Sequence, residues 1–188
     1  MNTSATIERS APEAPRSMAR LAGVFYLLTF ATGSLALFAG SRVSSASGMI
    51  AGACYVVVTF LFYHLFKPVN RNFSLLAACI SLIGCAIGPL SLVVHALSRI
   101  NPLAIFGFYC LLIGYLILKS TFLPRALGWL MVFAGLGWLT FLSPALAKQL
   151  SPFSFLPGLL GEGALTLWLL AAGVNEADWR KRALAAIK

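Results

Sequence analysis

The sequence predicts an all-α, polytopic integral membrane protein: a bundle of six transmembrane helices. Three observations carry this. Six apolar stretches recur along the chain, most with the roughly 20 residues that a spanning helix needs. The basic residues between them alternate in abundance. The composition is 60% hydrophobic and 10% charged, with a mean hydropathy of +0.89, whereas a soluble domain carries about 25% charged residues. In hydrocarbon no water can satisfy backbone N–H and C=O groups, so such stretches must be helices.

The elements follow in order. Residues 1–17, with Pro12, Pro15 and mixed charge, read as a disordered cytoplasmic tail. Residues 18–175 form the transmembrane domain, with spans at about 19–39, 48–66, 73–97, 103–118, 124–143 and 154–174. The first is too long, and the residues near Ala39 too unlike a small-x-small site, for a cleaved signal peptide. The third contains Pro89, which is expected to kink it. The fourth is short, so it stands upright or thins the bilayer. Residues 176–188 form a basic cytoplasmic tail or an interfacial helix. In the second case Trp179 and the run Arg180, Lys181 and Arg182 would meet lipid headgroups.

These spans sort the charges. Eleven basic residues fall on the side of the termini: Arg9, Arg16, Arg20, Lys67, Arg71, Lys119, Arg125, Arg180, Lys181, Arg182 and Lys188. Only Arg42, Arg99 and Lys148 fall on the other. This bias places both termini in the cytoplasm of a cell with an inner (plasma) membrane. The same scatter speaks against nucleic acid as a partner, although the net charge is +9: the cations come in ones and twos, not as a continuous groove. The lipid bilayer is the expected partner, and other membrane-protein subunits stay open.

Lipid tails offer helices no hydrophobic drive to associate, so small residues mark the seams. Gly84 and Gly88 in the third span, Gly48 and Gly52 in the second, and Gly128, Gly135 and Gly137 in the fifth are expected to be contacts within the bundle. Cys54, Cys79, Cys85 and Cys110 all lie in apolar stretches without a Cys-x-x-Cys pair and read as small packing residues. Trp129, Trp138, Trp168 and Trp179 read as interface or packing aromatics.

One residue breaks the pattern. Between Glu13 and Glu176 the only acid is Glu162, inside the last span. Placing a charge there costs roughly 2.5–3.5 kcal/mol on insertion scales. Glu162 lies about 9 Å into the outer half, six residues after Leu156. No Lys or Arg lies in the interior of any span. A carboxyl group without a cation in such surroundings is expected to keep its proton. Tyr55, Ser91 and Tyr109, with Thr32 and His95, lie at similar depth, and Thr166 follows one turn along the same helix. Glu162, Tyr55, Ser91, Tyr109 and Thr166 therefore form the candidate intramembrane polar site. Three roles are open to it: hydrogen bonding between helices, a proton or cation site in a transport path, or a contact to a subunit or ligand.

Other chemistry is weaker. His64 and His95 cannot share a haem, because they end spans at opposite faces, most of the roughly 30 Å core apart. No His-x-x-x-His or Glu-x-x-His pattern suggests a metal. Ser91 and His95 have helical spacing, but that spacing arises readily by chance, so no catalytic residue, cofactor or metal is assigned.

The chain also resembles a bacterial family of small polytopic membrane proteins, domain of unknown function 4386. The resembling phrases are 20–29 (RLAGVFYLLT), Lys67-Pro68-Val69-Asn70-Arg71, Gly114-Tyr115-Leu116-Ile117 with Lys119-Ser120, and Phe122-Leu123-Pro124-Arg125-Ala126-Leu127-Gly128. They continue with 134–137 (AGLG), Gly161-Glu162, 167–170 (LWLL) and Gly173-Val174, in order over nearly the whole chain after the tail. The short loop around Arg42 and the uncharged run Cys79 to Gly88 depart from the pattern. The resemblance implies a helical membrane fold in a bacterial inner membrane and assigns no activity. The expected function is a non-enzymatic accessory or structural component of a membrane assembly. The alternative is a proton-coupled or small-solute carrier centred on Glu162.

Overall fold

The computed structural model describes residues 15–38, 40–91 and 93–186. Among these, every regular element is a helix. Helix α1 is Pro15–Phe38, α2 Ser41–Phe66, α3 Arg71–Ser91, α4 Pro102–Lys119, α5 Arg125–Leu139, α6 Pro144–Leu150, α7 Leu156–Ala171 and α8 Glu176–Ala185. Short 3₁₀ turns cover His95–Arg99, Thr140–Leu142 and Phe153–Phe155. Among the described residues, six segments are long and apolar enough to cross a membrane: α1 to α4, α5 with the turn after it, and α7 with the turn before it. The polytopic helical class is therefore observed.

The helices form a closed ring. α1 packs on α2, α2 on α3, α3 on α4, α4 on α5, α5 on α7, and α7 back on α1. Chain order and ring order coincide, as short connections between antiparallel neighbours require. The inside of the ring is filled by Tyr26, Val58, Phe62, Ile113, Met131 and Leu165, each fully or almost fully buried. Large apolar side chains such as Leu27, Phe60, Ile83, Phe133 and Leu159 face outward. An apolar belt of this extent is what a bilayer covers.

Glycines set the tightest seam. On α4 and α5 they face in pairs: a Cβ on Gly114 would meet the Gly128 carbonyl oxygen at 2.9 Å, and one on Gly107 the Gly135 oxygen at 3.0 Å. Backbone thus lies on backbone, as small-residue membrane interfaces do. Gly137 lies against Pro157, Gly158 against Trp138, and Gly161 against the Leu130 carbonyl, which seats α7 on α5. Gly84 packs on the Phe106 ring. Gly52 and Gly88 have no neighbour within 4 Å of such a Cβ, and Gly48 touches only Ala36 at 4.0 Å. Those three expected seam positions are open in this ring.

Several boundaries differ from the sequence expectation. The disordered tail was placed at 1–17, but residues 15–17 already belong to α1, where Pro15 costs no helical hydrogen bond; residues 1–14 lie outside those described. α2 begins at Ser41, not near 48. The serine-rich run 41–47 looked like a loop because it is polar, yet the Ser44 hydroxyl donates to the Ala36 carbonyl at 2.6 Å and ties it to α1. α3 ends at Ser91, not at 97. Pro89 lies within its last turn, so its missing N–H ends the helix instead of kinking its middle. The loop after α5 contains the short helix α6, capped by Ser143. The Asn101-Pro102 pair opens α4 as cap and first residue, with Asn101 Oδ1 accepting from the Leu103 N–H at 3.0 Å.

The chain end after α7 is a helix, not a tail. Gly173, at φ +68°, turns the chain in the left-handed conformation that glycine favours at a helix end. Asn175 then caps α8 by accepting from the Ala177 and Asp178 N–H groups. Trp179 is buried, and its indole N–H donates to the Leu65 carbonyl at 2.8 Å. That bond removes Trp179 from the headgroup role expected of it: it plugs the end of α2. Arg182 reaches the Lys119 carbonyl at 3.4 Å, and Arg180 pairs with Glu176 at 3.5 Å.

Candidate functional site

α7 buries one stripe: Gly158, Gly161, Glu162, Leu165, Thr166 and Leu169. This is the 3–4 spacing of a helix face turned inward. Glu162 is thereby carried to the ring interior, and the two glycines bring its helix against α5. The carboxyl group is 5% exposed. An isolated buried carboxyl would be among the most costly groups in the fold.

It is not isolated. The Tyr26 hydroxyl of α1 donates to Oε2 at 2.6 Å. The Trp138 indole N–H of α5 donates to Oε1 in a short hydrogen bond. The Cys110 thiol of α4 approaches the same oxygen at 3.5 Å. The Tyr55 hydroxyl of α2 lies 3.2 Å from that of Tyr26. Side chains from α1, α2, α4 and α5 thus gather around one group on α7. The aromatic rings brace each other: Tyr26 meets Tyr55 edge-on at 5.4 Å, and Tyr55 meets Tyr109 at 5.7 Å, geometries that favour the offset quadrupoles of aromatic pairs.

Of the residues the sequence nominated, Glu162 and Tyr55 lie in this cluster. Tyr109 stands beside them, 1% exposed, and its hydroxyl has no hydrogen-bond partner. Thr166 is adjacent but donates to the Glu162 backbone carbonyl at 2.8 Å, not to the carboxyl group. Ser91 is elsewhere: its hydroxyl turns back to the Gly88 carbonyl at 2.7 Å. Thr32 likewise bonds its own helix at Leu28, and His95 lies in the exposed turn after α3. The structure therefore separates Ser91, Thr32 and His95 from Glu162.

Three members were missed as partners: Tyr26, Cys110 and Trp138. The signal for Tyr26 was its stripe with Ala19 and Ala22, all fully buried. The sequence makes Cys110 a small packing residue and Trp138 an interface or packing aromatic; both pack, and both also point a hydrogen at Glu162. Gly161 lets α5 come against the site, whereas Gly163 has nothing within 4 Å of a Cβ placed on it.

Two surface cavities flank the bundle. One, of about 700 Å³, lies at the end that carries α8 and is lined by Arg16, Thr121, Trp168 and Glu176 among others. The second, of about 680 Å³, lies at the opposite end, between Arg99, Phe108, Phe141 and Ala147. Glu162 lines neither.

Comparison with known proteins agrees with this architecture. The family model described as "Domain of unknown function (DUF4386)" matches residues 39–103 and 90–173. An uncharacterized protein of the archaeon Archaeoglobus fulgidus is 28% identical over 129 residues, covering 63% of this chain and 76% of its own length. No solved structure matches the chain. With matches that run from the start of α2 to the end of α7, the chain belongs to the DUF4386 family.

Proposed function

We propose that this protein is a non-enzymatic, accessory or structural component of a membrane assembly, held in one shape by Glu162. One observation carries the reading. Both oxygens of the buried carboxyl group are occupied by side chains of other helices, Tyr26 of α1, Cys110 of α4 and Trp138 of α5. Breaking a hydrogen bond so that a buried partner is left unsatisfied costs about 1–3 kcal/mol, so the cluster fastens the ring from inside.

The setting is a bacterial inner membrane with both termini in the cytoplasm. Arg16, Arg20, Lys67, Arg71, Lys119, Arg125 and the α8 cluster gather at one end, against Arg99 and Lys148 at the other. That asymmetry supports the orientation through the positive-inside rule. The outward apolar belt supports lipid, and other membrane subunits, as its partners.

The test is purification in mild detergent, with mass spectrometry of whatever stays bound, for the wild type and Glu162→Gln. Bound subunits that are lost together with thermal stability in the variant support the reading. A variant that keeps its assembly but loses a measured solute flux in proteoliposomes would replace it with the carrier.

A further inference from the structure

The hydrogen-bond bookkeeping around Glu162 says more than that it fastens helices. The indole N–H of Trp138 is donor-only, so Oε1 must accept whether or not the carboxyl group holds a proton. A proton on Oε2 leaves that bond undisturbed and has a partner ready in Tyr26. That oxygen faces the Tyr26 hydroxyl at 2.6 Å, which in turn faces the Tyr55 hydroxyl at 3.2 Å. Hydroxyls both donate and accept, so this row can point either way.

In one direction Tyr55 donates to Tyr26, and Tyr26 to an ionised Oε2. Every hydrogen in the row then has an acceptor. In the other direction Oε2 donates to Tyr26, Tyr26 to Tyr55, and the Tyr55 hydrogen turns away from the row. The Tyr109 ring packs on that of Tyr55 at 5.7 Å, and its hydroxyl is without a hydrogen-bond partner among the described residues.

We propose that Glu162 is a reversible proton-binding site, loaded and emptied through the hydroxyls of Tyr26 and Tyr55. The balance is simple. A proton from water joins the Tyr55 oxygen; the Tyr55 hydrogen passes to Tyr26; the Tyr26 hydrogen passes to Oε2. One O–H bond forms at each oxygen as one breaks at each tyrosine. Both tyrosines end neutral, and one positive charge has been taken up. The ionisable groups facing the carboxyl group are Tyr26 on α1, Tyr55 on α2, and Tyr109 and Cys110 on α4; α5 contributes only the Trp138 indole, and α7 itself the Thr166 hydroxyl. None is a Lys, Arg, His or second acid, so a single proton sets the charge of the site. The proposal goes beyond the fastening role but rests on the same cluster.

Difference infrared spectroscopy against pH, on the full chain in lipid nanodiscs with isotope-labelled tyrosine, tests it. We expect a protonated-carboxyl band and a tyrosine C–O band to change together, with one midpoint, and both to vanish in Glu162→Gln. Tyr26→Phe should keep the carboxyl band and lose the linked tyrosine change. No carboxyl change over the pH range in which circular dichroism shows an intact fold would overturn the proposal. A carboxyl band that titrates identically in Tyr26→Phe and Tyr55→Phe would overturn it too. Thermal unfolding of the same variants separates this from the fastening role. Lost stability in Glu162→Gln with no titrating band sinks the proton site alone, and a titrating band with unchanged stability sinks the fastening role alone.

Discussion

Gly114→Ala should destabilise the bundle, although alanine is the better helix former. The gain from propensity is about 0.8–1 kcal/mol. Against it stands the seam. A methyl group at 114 would meet the Val132 side chain at 2.8 Å, the Gly128 carbonyl oxygen at 2.9 Å and the Val132 backbone nitrogen at 3.0 Å. The side chain can turn aside, but the two backbone atoms belong to α5 and move only if the helix moves. Forced overpacking of this kind costs typically about 1–3 kcal/mol. Separating α4 from α5 also loosens the next contact along the seam, Gly107 on Gly135. We expect a net loss of up to about 2 kcal/mol once the propensity gain is subtracted. Gly33→Ala is the control, because nothing lies within 4 Å of its added carbon; there the gain should appear alone, about 0.5–1 kcal/mol. Thermal or denaturant unfolding in detergent measures both. Equal stability of the two variants, or a more stable Gly114→Ala, would refute the claim that α4 and α5 touch through their backbones.

Other consequences follow from the same contacts. Trp179→Ala should cost about 3–5 kcal/mol, since it empties a buried site and frees the Leu65 carbonyl; hydrogen exchange should then rise across α8 and the end of α2. Asn175→Ala removes the α8 cap and should cost about 1 kcal/mol, seen as faster proteolysis near residue 176 with the spans intact. Arg180→Ala breaks an exposed pair with Glu176 and should change stability by less than about 0.5 kcal/mol in an unfolding scan.

The spans were legible because lipid demands length and apolarity, two properties that a linear sequence displays. Glu162 was legible for the same reason: in a run such as Leu159 to Leu170 a single carboxyl group stands out. Its partners were not. Which face of α1 turns inward is settled by packing against α2 and α7, so Tyr26 gave only the faint stripe with Ala19 and Ala22. Depth alone suggested Ser91, but a serine can satisfy itself on its own helix, and this one does at Gly88. Trp138 looked like an interface aromatic because indoles favour that region; Gly158, against which its ring packs, is what brings it inward to Glu162. The polar run 41–47 hid a helical start, since a hydroxyl that bonds the neighbouring helix leaves no trace in hydropathy.

The central claim is that the Tyr26–Glu162 bond fastens α1 to α7. A double-mutant cycle of Tyr26→Phe and Glu162→Met, read by unfolding in detergent, tests it most directly. Both substitutions keep the shape and remove the hydrogen bond. The account predicts a coupling free energy of about 1–2 kcal/mol, within the range found for residues in one hydrogen-bond network. Additive losses, with coupling indistinguishable from zero, would contradict it.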